Sequence, residues 1–184
     1  MLTREEAWEL LASKGQERHM LHHALETEAV MRGLARRLEQ DEDVWGLTGL
    51  LHDLDFHETK DIPDEHALRA ATWLADALPG EALQAIRAHN GERNGIMPAA
   101  QFDYALRCAE TVTGLVSAAA LVRPTKLDGL GAKSLKKKMK DKAFAAAVNR
   151  EIIRECERVG VSLDDFLNDA VASIAEIADQ VDLK

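Results

Sequence analysis

Apolar residues in this chain recur at spacings of three and four, and no stretch alternates with period two between turn residues, so the sequence excludes a sheet and requires a helical architecture. The four prolines and eleven glycines fall mostly between the periodic segments and mark their ends. Thr3 with Glu6 forms a capping-box pattern for a first short helix that stops near Gly15. A second helix spans about Glu17 to Gln40, with Met20, His23, Thr27, Val30, Leu34 and Leu38 on one inward face. Asp41 or Asp43 caps a third through Trp45, Leu47, Leu50 and Leu51 to about Asp53, where the periodicity breaks. A fourth is expected over Asp64 to Leu78, and after Pro79-Gly80 a fifth ends at Asn90-Gly91. A long sixth covers Ala99 to Val122, with Phe102, Leu106, Ala109, Val116 and Ala120 apolar. The loop Asp128 to Gly131 leads to the basic segment with Ala143 to Val148. A helix over Arg150 to Val159 then stops at Gly160, and a last one starts at Ser162 with Asp165 three residues on.

The expected architecture is therefore all-α: one compact bundle over residues 1–184, with a core at about 15–122 and C-terminal helices at about 133–180 packed on it. A chain of 184 residues can bury such a core without staples, and 46% hydrophobic with 30% charged residues excludes collagen-like and wholly disordered classes. Cys108 and Cys156 lie in helical stretches and form no C-x-x-C pair, so thiolate zinc sites and a disulfide framework are excluded. No apolar run approaches the roughly 20 residues of a membrane span, and the acidic first fifteen residues do not read as a signal peptide. The expected compartment is the cytoplasm, with no membrane partner.

Charge is spread unevenly. Eight basic residues stand against two acidic ones between Arg123 and Lys142, a local +6, so the remainder carries −15 of a total of −9. Such a remainder argues against a broad nucleic-acid interface and leaves a small phosphorylated substrate as the expected partner. No pattern sets an oligomeric state. Nucleotide-binding Gly-rich loops and a G-x-S-x-G nucleophile are absent.

The chemistry lies in the histidines. His23 is on the inward face of the second helix, and His52-Asp53 falls where the third ends. Adjacent helical residues diverge by about 100°, so both can serve one ion only where the backbone leaves the helix. A carboxylate has two oxygens and can bridge two ions. Each histidine also has an ordinary alternative, as a satisfied core residue or a helix-end cation, and His22, on the face of Glu26 and Ala29, is read as surface.

In order along the chain, His23, "WGLTGLLHDLDF", "PDEHALRAATWL", "IRAHNGE", "YALRCAETVTGLVSAAALVRPTK" and "KSLKKKMKDKAFAAAVNRE" resemble the small HD-domain metal-dependent phosphohydrolases, and more narrowly the short HDIG-type hydrolases, over about residues 15 to 180. The resemblance implies an all-helical HD fold around a metal centre. It places one ion on His23, His52, Asp53 and a late acid at Glu110, and a second on His66 and His89 with Asp53 as bridge. Two departures stand out. The family has Asp where Glu110 stands, with Asp103 as the substitute. The tetrapeptide is His52-Asp53-Leu54-Asp55, with no Gly-Tyr-Pro signature, which argues against cyclic dinucleotides.

Imidazoles with carboxylates and no thiolate suit Mn, Fe, Co, Ni or Zn, one ion or two. The implied activity is hydrolysis of a nucleotide or other small phosphate ester by a metal-activated water. Asp53 would anchor the centre, Asp55 or His57 would orient the water or protonate the leaving group, and Arg123, Lys133 and Lys137 would meet the phosphate. A di-iron HD-fold oxygenase and a non-catalytic binding protein are the alternatives.

Overall fold

The computed structural model describes residues 1–184 and contains no strand. Its helices are α1 (Arg4–Ser13), α2 (Arg18–Arg37), α3 (Glu42–Leu51), α4 (Phe56–Thr59), α5 (Leu68–Trp73), α6 (Gly80–His89), α7 (Gly91–Asn94), α8 (Gln101–Leu121), α9 (Ala132–Lys140), α10 (Arg150–Arg154), α11 (Cys156–Val159) and α12 (Leu163–Glu176). The expected caps form. Thr3 Oγ1 accepts from Glu6 N–H while the Glu6 carboxylate accepts from Thr3 N–H, Asp41 caps α3, and Ser162 Oγ accepts from Asp165 N–H.

The two long helices, α2 and α8, organise the bundle. α2 packs against α3, α8 and α12, and α8 also takes α6, α10 and α11. Because α2 has neighbours on several sides, every residue from Ala24 to Met31 is buried, including Glu26 and Glu28, so the single inward face expected from periodicity is too narrow. Glu28 is compensated by the guanidinium groups of Arg4 and Arg32. One cluster of 48 buried apolar residues runs from Ala7 to Leu183, so the C-terminal helices share the core of the N-terminal ones.

Two segments depart from the periodicity, and a third is settled by the fold. The helix expected over 64–78 is only α5, because Ala67 takes a left-handed φ of 74° and the chain from Asp53 to Ala67 turns tightly around α4. The helix expected over 150–159 is divided at Glu155, whose N–H bonds to Ile152 three residues back in a tighter turn. Residues 141–149 do not form a helix. Arg150 holds them as turns, its guanidinium donating to the carbonyls of Asp141, Phe144, Ala145 and Val148.

The α2–α3 contact depends on Gly49. A Cβ there would lie 2.9 Å from the Thr27 carbonyl oxygen, a backbone atom that cannot swing aside. Gly49→Ala is expected to destabilise the fold by about 1–3 kcal/mol in urea unfolding, the usual cost of overpacking. It should also weaken metal binding by displacing the end of α3, and an unchanged midpoint would show that the helices are not in close contact here.

Candidate metal centre

Four imidazoles from four parts of the bundle converge on one carboxylate. His52 caps the C-terminus of α3 and donates Nδ1–H to Gly49 O at 2.8 Å. His89 ends α6 and repeats the device, donating Nδ1–H to Ile86 O at 2.6 Å. His66, in the turn between α4 and α5, has Nδ1 2.8 Å from Asp55 Oδ1. His23 of α2 has Nδ1 2.9 Å from Thr113 Oγ1; since that hydroxyl donates to Glu110 O at 2.6 Å, it can only accept from His23. Every Nδ1 therefore carries the proton, and every Nε2 presents a lone pair to the centre.

The Nε2 atoms of His66 and His89 lie 3.1 and 3.2 Å from Asp53 Oδ1, that of His52 3.4 Å from the same oxygen, and that of His23 3.7 Å from Oδ2. His23 and His52 face each other through Nε2 at 3.2 Å, as do His66 and His89. Two bare nitrogens at this distance cannot form a hydrogen bond and repel unless a cation lies among them. The donors fall into two triads, His23–His52–Asp53 and Asp53–His66–His89, each with all ligand atoms within 4.8 Å of one another. Two imidazoles and a shared carboxylate per triad fit divalent transition ions.

The site's electrostatics agree with that fit. Burial opposes ionisation of Asp53, yet the surrounding imidazoles override it and hold the carboxyl well below its usual range. Burial pulls His52 down to about 3, leaving it neutral as a ligand must be. At His66 burial favours the neutral form, but Asp53 and Asp55 push the group up to about 10, a pull on positive charge at this position that a bound cation would answer.

The supporting groups are fixed in turn. Asp55 is fully buried and uses both oxygens, one on His66 and the other on the Ala70 N–H at 3.0 Å. Gln16 Nε2 donates to Asp53 O at 2.9 Å. Arg107 Nη1 donates to the carbonyls of Ala88 and His89, and its guanidinium pairs with Glu92 and Glu155, which fastens the end of α6 to α8 and the α10–α11 corner.

Several of the expected site residues lie apart from the two triads or are engaged elsewhere. Asp55 is not free to orient a water, because it is consumed in aligning His66. His57 is exposed on α4, outside both triads. Glu110 also stands outside both triads; its Oε1 accepts from Thr111, and its carboxyl lines a cavity of about 320 Å³ beside His23 with Asn149 and Ile152. Asp103 is no substitute, since it accepts the N–H groups of Ala99 and Ala100 at the start of α8. Arg123 ties its own loop together through the carbonyls of Lys126 and Asp128, and Lys133 and Lys137 are exposed on α9, away from the cavities that border His23.

Residues that sequence reasoning missed include Gln16, Thr59, whose hydroxyl lies 3.3 Å from His66 Nδ1, and Glu26. Nothing in the linear pattern marks the first two. A second cavity of about 330 Å³ on the other side of Gly114 is lined by His19, His22, Glu26 and Ser117, so His22 is not simply surface. Burial pushes Glu26 up to about 7, and its one hydrogen bond, 2.8 Å from Ser117 Oγ, does not offset that.

Two outcomes are expected. Asp55→Asn should leave the bundle folded and reduce metal affinity about 10 to 100-fold, the usual cost of losing a ligand's orienting partner, as read by competition with a chelating dye. Native Glu26 keeps its proton up to about pH 7 while the unfolded chain loses it near 4.5, so the native state binds more protons and stability falls as pH rises through that window. Glu26→Gln should remove on the order of 2–3 kcal/mol of that fall, and an unchanged pH profile of the melting temperature would contradict it.

No curated protein and no solved structure matches the chain. The sequence profile of the HD domain matches residues 20–182, a span holding all five converging residues and the C-terminal helices packed beside them. No helix is long and apolar enough to cross a membrane. With the match covering nearly the whole chain and the two triads lying within it, the protein belongs to the HD-domain family.

Proposed function

We propose that this HD-domain protein is a metal-dependent phosphohydrolase that cleaves a nucleotide or another small phosphate ester by attack of water on phosphorus. The observation that carries the reading is the pair of His–His–Asp triads sharing Asp53, all Nε2 lone pairs directed inward. Bound there, divalent transition ions supply a water of lowered pKa and neutralise charge on the phosphoryl oxygens. His23, His52 and Asp53 would hold one ion, and Asp53, His66 and His89 the other.

The remaining work belongs to the chain. The hydrogen bonds from Nδ1 keep the four rings in one tautomer and orientation. Side-chain exposure rises from 1% at His52 to 23% at His23, so a substrate reaches the centre from the His23 side. On that side stands Glu110, pushed up to about 7 by burial, a value suited to giving or taking a proton near neutrality. Its carboxyl is the group proposed to protonate the leaving oxygen, in place of Asp55 and His57.

The test is elemental analysis of the full-length protein reconstituted with Mn, Fe, Co, Ni or Zn, with phosphate release measured on a panel of phosphomonoesters and nucleotides. Two ions per chain and turnover of at least one ester are expected, and both should be lost in His52→Ala and Asp53→Ala with the helical spectrum kept. A loaded protein that releases no phosphate but consumes dioxygen with iron bound would replace the hydrolase with an oxygenase. Glu110→Gln should retain both ions and lower kcat by about 100-fold or more, as removal of a general acid does. Loss of metal instead would make Glu110 a ligand.

A further inference from the structure

The excess of positive charge between Arg123 and Lys142 finds no use at the metal centre, yet part of it is gathered elsewhere. Lys136 and Lys140 of α9, Lys142 of the following turn, and Arg150 and Arg154 of α10 line one cavity of about 240 Å³, together with Met139 and with Glu151 as the single acid. A solvated helix face would spread its charges outward, as Lys133 and Lys137 do on the same helix. Here five cations from three segments of the chain converge on one concavity.

Their compensation within the protein is incomplete. Lys136 pairs with Asp164 of α12, whereas Lys140, Lys142, Arg150 and Arg154 have no carboxylate within ion-pair distance. Arg150 is held rigidly by its four backbone carbonyls, none of which neutralises its charge. Its Nε is a buried side-chain nitrogen without any acceptor. Like charges held together in this way repel, and an anion lodged among them removes the repulsion. The net −9 of the whole chain means that such binding would be local rather than a general attraction of a basic protein for anions.

We infer that this cavity is a binding site for a compact polyanion of the pyrophosphate type, either free or as the polyphosphate part of a nucleotide, separate from the metal centre. Its size admits a phosphate chain and no duplex, and the −15 carried by the rest of the chain would repel an extended nucleic-acid backbone. The site borders the proposed catalytic one: Arg150, Glu151 and Arg154 face this cavity, while Ala147, Val148, Asn149 and Ile152 of the same stretch line the cavity that holds Glu110. A polyanion bound here would order the segment that forms one wall of the approach to His23.

The test is isothermal titration of the metal-free, full-length protein with inorganic pyrophosphate as its tetrasodium salt and, separately, with ATP, which distinguishes free from nucleotide-borne phosphate. Saturable binding of one equivalent is expected, weakening as salt is raised from about 50 to 150 mM because exposed charges are screened. His52→Ala should bind as the wild type does, which separates this site from the metal centre and leaves the result independent of the hydrolase reading. Lys140→Gln with Lys142→Gln should lose about tenfold or more in affinity, and Lys140→Arg with Lys142→Arg should retain it. No saturable binding at the lower salt, equal binding by the glutamine double variant, or loss of binding in His52→Ala would each overturn the inference.

Discussion

Everything at the centre depends on where four protons sit. Gly49 O, Ile86 O, Asp55 and the Thr113 hydroxyl each take the Nδ1–H of one imidazole, and this alone turns four Nε2 lone pairs toward Asp53. Had any ring carried its proton on Nε2, it would donate to the carboxylate and close the site as an ordinary buried hydrogen-bond network. As built, the network is complete on its outer side and incomplete on its inner side. Incomplete buried networks are costly, and a cation is the economical way to finish this one.

Two of those four acceptors are helix carbonyls lying three residues before the histidine, at the C-termini of α3 and α6. The last carbonyls of a helix have no intrahelical partner, so a terminal histidine that turns back onto one satisfies the backbone and fixes its own tautomer with one bond. This is why His52 and His89 stand at helix ends, and why the adjacent Asp53 can leave the helix direction and enter the same centre. The other two acceptors are side chains that need tertiary support. Asp55 is tied to the N–H of Ala70, and Thr113 to the carbonyl of Glu110. The metal centre and the bundle are thus one packing problem, and the close approach of α2 to α3 at Gly49 belongs to both.

The helical class, the main caps, His23 and the His-Asp pair were readable because periodicity, cap chemistry and a helix end are local signals, whereas His66 and His89 came only with the resemblance to the HD-domain family. The path from Asp53 to Ala67 was not readable. It depends on a left-handed residue that is alanine, where glycine or asparagine would have advertised it, and on bonds from Asp55 to residues eleven and fifteen positions away. The role of Asp55 was misread for the same reason: proximity to the His-Asp pair suggested water chemistry, whereas only the fold reveals that both of its oxygens are occupied. Glu110 illustrates the converse: the resemblance made it a metal ligand, whereas the fold sets it on the wall of the cavity beside His23 with Thr111 as its side-chain partner, which spacing does not give.

The distribution of charge around the approach constrains what the centre has to supply. Neither cavity beside His23 is lined by lysine or arginine, while each contains a glutamate that burial pushes up to about 7. Under the proposed reading, a phosphate arriving there meets no guanidinium or ammonium group, so the charge that offsets it has to come from ions held by the triads. This also bears on the glutamates of the walls: near neutral pH each is only partly ionised, so it adds less negative charge to a path that an anion must follow than an ordinary carboxylate, yet it retains a proton that can be transferred. The cations that the sequence provides in abundance are placed on a different face of the 147–154 segment, where they act on that wall from behind and make no contact with the reacting group.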